Sequence, residues 1–343
     1  MNGITLLLIG IAVLLCGYIF YGRWLCKQWG VGESTEPTPA HTLRDDIDYV
    51  PAPAPVLMGH HFSSIAGAGP ITGPITAATT GFGWLACVLW ILIGGIFFGG
   101  PHDFGALFAS VRHKGKSIGE IISANMSLRA KRLFVVFAYL TLVLVVAAFS
   151  AIVAGTFGVT RDETGALTAA GVANAQVAMV SLLFILMAIV FGFAVYRKGV
   201  KMSIASVIGV IGIIACLFIG LNFYPIQLST NAWMWIVGLY IMVASVAPVW
   251  ILLQPRDYLS SFLLYAMLAL AALAVFMGNP SMETLPVLNK AGNTTPVFPV
   301  LFTTIACGAI SGFHSLVGSG TTSKQLDKET DAKPIAYGGM LIE

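Results

Sequence analysis

Apolar residues in this chain gather in long continuous runs rather than alternating with polar ones. The runs lie near 4–22, 60–79, 84–110, 133–157, 176–196, 203–223, 233–253, 259–277 and 298–318. Crossing a hydrocarbon core of about 30 Å takes roughly 20 helical residues, and most of these runs are that long. Backbone groups in lipid must be satisfied internally, so spans are helices or closed barrels. A barrel requires alternating segments of about ten residues, which are absent here. The pattern predicts an all-α membrane protein, a polytopic bundle of about nine transmembrane helices.

Composition agrees. Of 343 residues, 57% are hydrophobic and 10% charged, and mean hydropathy is +0.87. A soluble domain carries about 25% charged residues. Residues 1–22 lack a basic leading segment and a small-residue cleavage site, so they read as a retained helix. The five cysteines are scattered, with no CxxC pair, and read as apolar filler.

Charge placement gives orientation. Loops 23–59, 111–132, 197–202, 254–258 and 319–343 fall on one side and hold 16 of the 18 Lys and Arg residues; the other side holds Arg161 and Lys290. The positive-inside rule makes the first side cytoplasmic and puts the N-terminus outside. The organisation expected is an extra helix over 1–22, a cytoplasmic connector over 23–59, rich in proline and acid, and a transmembrane core over 60–343. Residues 324–333 read as a solvated loop. The basic cluster of 112–132 reads as a topology determinant facing lipid headgroups, and no nucleic-acid partner is expected. The lipid bilayer is the expected partner.

The run 60–79 is unusual. Gly67, Gly69, Pro70, Gly73 and Pro74 fall within eight residues. Proline removes a donor and clashes with the preceding turn, and glycine frees the backbone. Unwound backbone survives at membrane depth only where protein or a watery cavity covers it, and transporters use such breaks to bind solutes. A proline kink with close helix packing is the structural alternative. A second break is expected over 243–250, at Pro248, with four complete spans between the two. That spacing fits five-helix inverted repeats of the LeuT type, with this chain lacking the last helices as a truncated form.

Several stretches resemble the carbon starvation protein CstA family of peptide and pyruvate transporters. They are Gly59-His60-His61-Phe62, then Ile65-Ala66-Gly67-Ala68-Gly69-Pro70 and Gly73-Pro74. Asp103-Phe104 and Ser117-Ile118-Gly119-Glu120 follow. Next come Trp250-Ile251-Leu252-Leu253-Gln254-Pro255-Arg256-Asp257-Tyr258, Ser311-Gly312-Phe313-His314-Ser315-Leu316 and Ser319-Gly320-Thr321-Thr322-Ser323-Lys324-Gln325. They run in order along nearly the whole chain. The resemblance implies a many-helix bacterial inner-membrane transporter that takes up peptides or pyruvate under carbon starvation.

Ionisable groups inside a membrane mark function by default. Asp103 lies roughly 12 Å from the cytoplasmic end of its helix. His60, His61, Asp103, Arg256, Asp257 and His314 converge on the inner half, as a proton relay or as an inner gate held by an Asp103–Arg256 pair. A Na⁺ site is the other option, from the carbonyls of Ala66, Gly67 and Ala68 and the hydroxyls of Ser315, Ser319, Thr321 or Thr322. Gly69 and Ser245 complete the expected substrate and ion set. Trp250 and Tyr258 read as interfacial anchors. No cofactor is expected beyond a coupling H⁺ or Na⁺. The glycines from Gly67 do not match GxGxxG, and no HExxH occurs. The chain is therefore expected to be no enzyme. The rival readings are a nutrient sensor for the same ligand and a membrane-embedded metal-dependent enzyme.

Overall fold

The computed structural model describes residues 2–34, 36–247, 252–281 and 287–343. The expected break at Pro248, and Trp250 and Ile251 beside it, lie outside these residues, as does the side chain of Gln254. Among the described residues there is no strand, and paired extended backbone is limited to isolated bridges. Among the described residues six helices are long and apolar enough to cross a membrane: α1 (Gly3–Trp29), α4 (Trp84–Arg112), α5 (Leu128–Phe157), α6 (Ala169–Val195), α7 (Ser203–Asn222) and α9 (Pro255–Gly278). The shorter α8 (Thr230–Val246) is apolar as well. The run 233–253 thus ends early: Ala247 is already extended, and the next helix is under way at Leu253.

Contacts divide the chain into two units, Phe134–Leu263 and the two flanking stretches Met1–Leu133 and Leu264–Glu343. The inserted unit is a helical bundle built on α6 and α7. Gly212 and Gly220 let the two helices approach, since a Cβ there would meet Met187 Sδ at 2.5 Å and Val180 Cγ2 at 2.5 Å. Small residues serve membrane helices this way because lipid offers no hydrophobic drive to associate. Ala188, Phe191, Ala205, Ile213 and Leu259 form one core of this unit, and Ala154, Ala178 and Trp233 another. Tyr258, expected at an interface, packs on Phe191 and Phe262 and shares a 2.8 Å hydrogen bond with Ser206.

The flanking unit contains the interrupted helices. The run 60–79 is two helices, α2 (Ala54–Ile65) and α3 (Gly69–Thr80), separated at Ala66–Ala68. The interruption is shorter than the density of helix breakers predicts. Pro70 occupies the first turn of α3, where no backbone donor is required. Gly73 and Pro74 lie inside the helix. Gly73 is there because the Thr304 carbonyl oxygen would sit 2.7 Å from any Cβ.

The run 298–318, expected as one span, is also broken. It holds a tight turn at Val297–Leu301, then α10 (Ala306–Ile310) and α11 (Phe313–Gly320), with Ser311 extended between them. The halves pair: α10 packs on α3, and α11 packs on α2 and α4. Gly69 lies against Cys307, and Gly308 lies against Pro70. The two interruptions therefore lie side by side.

Residues 324–333 are not a solvated loop. Leu326 and Ala332 are buried with Leu25, Leu57, Phe104, Leu107 and Tyr337 in the core of this unit. The connector clamps over them: Thr38 Oγ1 donates to the Leu326 carbonyl, and His41 meets Asp327 at 2.8 Å. Arg112 meets Glu329 at 2.9 Å. A last short helix, α12 (Gly339–Ile342), continues a turn at Lys333–Gly338.

Candidate functional site

The site is assembled on α4. Its middle turn, Gly95–Gly99, is a π-turn. An extra residue in a turn rotates the helix beyond it and recurs at functional sites. Glycines on the same stretch admit neighbours: a Cβ at Gly99 would lie 2.5 Å from the Ala309 carbonyl oxygen, and one at Gly100 would lie 2.5 Å from the Tyr337 ring. The Tyr337 hydroxyl donates to the Ile96 carbonyl at 3.0 Å, tying the turn before α12 to the π-turn. These approaches bring α10, α11 and α12 to the face of α4 that carries Asp103.

Asp103 Oδ2 and His314 Nδ1 are 2.9 Å apart, and each side chain is 1% exposed. An ionised carboxylate only accepts, so Nδ1 carries the hydrogen and Nε2 faces away. Nε2 points to Glu343, whose Oε2 lies 3.1 Å away and whose side chain is fully buried. The imidazole is therefore held between two carboxylates. The Asp103 contact is a formed hydrogen bond. The Glu343 contact is close but off-line, and neither Glu343 oxygen completes a hydrogen bond. His61 lies next to this row on α2, fully buried, with Nδ1 2.8 Å from Thr322 Oγ1. His60 is buried on the same helix.

Other expected residues are placed less sharply. Among the described residues the Ala66 and Gly67 carbonyls at the break accept no backbone hydrogen bond, whereas that of Ala68 accepts from Ile71, Thr72 and the Thr72 hydroxyl. Gly67 is exposed and has no neighbour around its missing Cβ. The Ser315, Ser319 and Thr321 hydroxyls donate to carbonyls of their own helix, those of Gly312, Ser315 and Val317. Ser245 does the same to Met242, in the inserted unit. Arg256 takes Asp257, its neighbour in sequence, at 2.9 Å, and its guanidinium also reaches the Tyr240 hydroxyl. Within its own unit Arg256 thus takes a local carboxylate, and within the flanking unit Asp103 takes His314 through Oδ2.

Glu343 escaped the sequence reading, as did the Ser110–Ser323 hydrogen bond of 2.9 Å between α4 and the segment after α11. A signal for Glu343 existed: it is a lone carboxylate ending the apolar stretch 334–342. The carboxylates flank the imidazole rather than converge, and among the described residues no group of three or more His, Cys, Asp or Glu is placed to hold a metal ion.

Comparison with known proteins meets this geometry. Over the whole of its length the chain is 37% identical to the peptide transporter CstA of Bacillus subtilis, covering 56% of that protein. Against the Escherichia coli peptide transporter CstA the identity is 37%, covering 48% of it. Against the Escherichia coli pyruvate/proton symporter BtsT it is 33%, covering 47%. The chain thus spans about half the length of the curated relatives it matches. No solved structure matches it. The family model for carbon starvation protein CstA matches residues 2–343, and the chain belongs to that family.

Proposed function

We propose that this chain forms the solute-binding part of a secondary transporter that takes up peptides or pyruvate-like carbon sources across the bacterial inner membrane, with its N-terminus outside. The observation that carries this reading is the pairing of two interrupted helices, α2/α3 and α10/α11, beside a buried carboxylate–imidazole pair. Free carbonyls at Ala66 and Gly67 offer acceptors to an ammonium group or to ordered water. Relatives named as peptide transporters and as a pyruvate/proton symporter support both substrate classes. A LeuT-like core of about nine spans accommodates the six long helices and the two interrupted ones.

Protons suit this site better than Na⁺ as the coupling ion. A hard cation takes several oxygen ligands, yet the Ser315, Ser319 and Thr321 hydroxyls already serve their own helices. Asp103 and His314 form a buried hydrogen-bonded pair that exchanges protons without such a cage. The test is counterflow of labelled pyruvate and of a labelled dipeptide in proteoliposomes, with and without a proton gradient. We expect exchange of at least one of them, and accumulation when the exterior is acidic. Saturable binding without exchange overturns transport in favour of a sensor.

A further inference from the structure

At the π-turn of α4 one backbone carbonyl has lost its partners along the helix. The Gly100 amide, which an α-helix would direct to Ile96, donates instead to Gly95, five residues back. The amide that a π-turn would offer to Ile96 belongs to residue 101, which is proline and has no N–H. Ile96 is buried near the middle of α4, where a carbonyl without a donor is costly. Its donor comes from another element, the Tyr337 hydroxyl at 3.0 Å. In a membrane, neighbouring elements satisfy the backbone groups that a proline frees.

Tyr337 is built into this position. It is fully buried. Its ring lies against Gly100 and Gly22, where a Cβ would meet it at 2.5 and 3.2 Å, and it stacks on Tyr18. The hydroxyl also lies 3.5 Å from the Gly17 carbonyl, in a second π-turn at Gly17–Tyr21 of α1.

The register of that turn decides where Asp103 faces. Each residue turns a helix by about 100°, and a π-turn holds one residue more than an α-turn. Asp103 follows two residues after Pro101, so its direction depends on the turn before it. Without the hydroxyl, the Ile96 carbonyl recovers a donor by taking the Gly100 amide in α register. That change turns the stretch carrying Asp103 away from His314.

We propose that Tyr337 is a positioning residue for the proton-exchanging pair: its hydroxyl holds α4 in the π register that aims Asp103 at His314. The inference rests on the transport reading above and deepens it. Tyr337 acts through Ile96 and α4, and not on the solute.

A rescue experiment tests this. NMR of purified protein carrying isotope-labelled histidine follows the Nδ1 proton of His314, assigned as the signal that moves in Asp103→Asn. Tyr337→Phe keeps the ring and removes the donor. The signal is expected to leave its hydrogen-bonded position, and proton-driven accumulation in proteoliposomes to fall severalfold while counterflow persists. Pro101→Ala supplies an amide at the position from which a π-turn reaches Ile96. Combined with Tyr337→Phe, it is expected to return both the signal and accumulation toward wild type. A role for Tyr337 in packing alone predicts no such rescue. A folded Tyr337→Phe protein with an unmoved signal overturns the inference, and so does a moved signal that Pro101→Ala does not restore. Should Tyr337→Phe fail to fold, the added amide decides: recovery of folding in the double variant supports the hydroxyl's role, and no recovery overturns it. The NMR measurement is independent of transport. Rescue of the signal in a protein whose wild type shows no exchange overturns transport alone. Wild-type exchange with an unmoved signal in Tyr337→Phe overturns the role of Tyr337 alone.

Discussion

Gly73 and Asp162 show how single residues set local structure here. At Gly73 any Cβ would stand 2.7 Å from the Thr304 carbonyl oxygen, a backbone atom with little freedom to retreat. Gly73→Val should destabilise the protein by about 1–3 kcal/mol, the usual cost of overpacking, read as a lower melting temperature in detergent. An unchanged melt means that α3 and the chain at Thr304 are not in contact. Asp162 works through hydrogen bonds in an exposed turn between α5 and α6. The Thr164 hydroxyl donates to it at 2.6 Å, and so do the backbone amides of Thr164 and Ala166. These donors, Thr164 Oγ1 foremost, hold its carboxyl below the ordinary value of 3.8. A depressed folded-state value means that ionised Asp162 holds the turn above the unfolded value, and the benefit fades as pH falls through the folded one. Exchange at the Thr164 and Ala166 amides, relative to intrinsic rates, should quicken below pH 3.8 and be quick at all pH in Asp162→Ala. Equal exchange in both proteins at neutral pH removes the role. None of these roles was legible in sequence: a glycine among five helix breakers and an aspartate in a polar loop have no mark that separates them from their neighbours.

At the scale of elements, legibility depended on proline. The break before α3 could be read because Pro70 cannot continue a helix, while glycines on both sides release the backbone. The break between α10 and α11 could not, since Ser311 and Gly312 are tolerated in helices and no proline follows them. Pro74 misled in the opposite direction, because the helix absorbs it one turn after Pro70. The pairing of the breaks, and of Asp103 with His314 across 211 residues, arises from packing that periodicity does not encode. Glycine at the break has a different task from Gly73. Nothing lies within 4 Å of a Cβ at Gly67, so Gly67→Leu should fold with an unchanged melt. A bulky side chain there shields the free peptide groups, and uptake should fall severalfold. Retained uptake in a folded Gly67→Leu protein would place the solute path elsewhere.

For the whole molecule, the distribution of cations and the helix inventory constrain each other. α6 has 27 residues, about 40 Å of helix at 1.5 Å per residue, which is enough to cross the bilayer with some tilt. Before it lies the Asp162–Gly165 turn, and after it come Arg197, Lys198 and Lys201. The excess of positive charge at that end over Arg161 at the other predicts the direction, with the basic end in the cytoplasm. The same assignment leaves Arg161 and Lys290 as the only cations outside, so an error in any one span would move several lysines and arginines across at once. Cysteine labelling tests this on a background with the five native cysteines replaced. Glu163→Cys should react with a membrane-impermeant maleimide in intact cells, and Lys198→Cys only after permeabilisation. The reverse pattern inverts the orientation of α6. Labelling of both from outside means that α6 does not cross, and the 16-to-2 separation of cations then loses its physical cause. Because α6 anchors the inserted unit, that outcome would also remove its helices from the count of spans on which a LeuT-like arrangement depends.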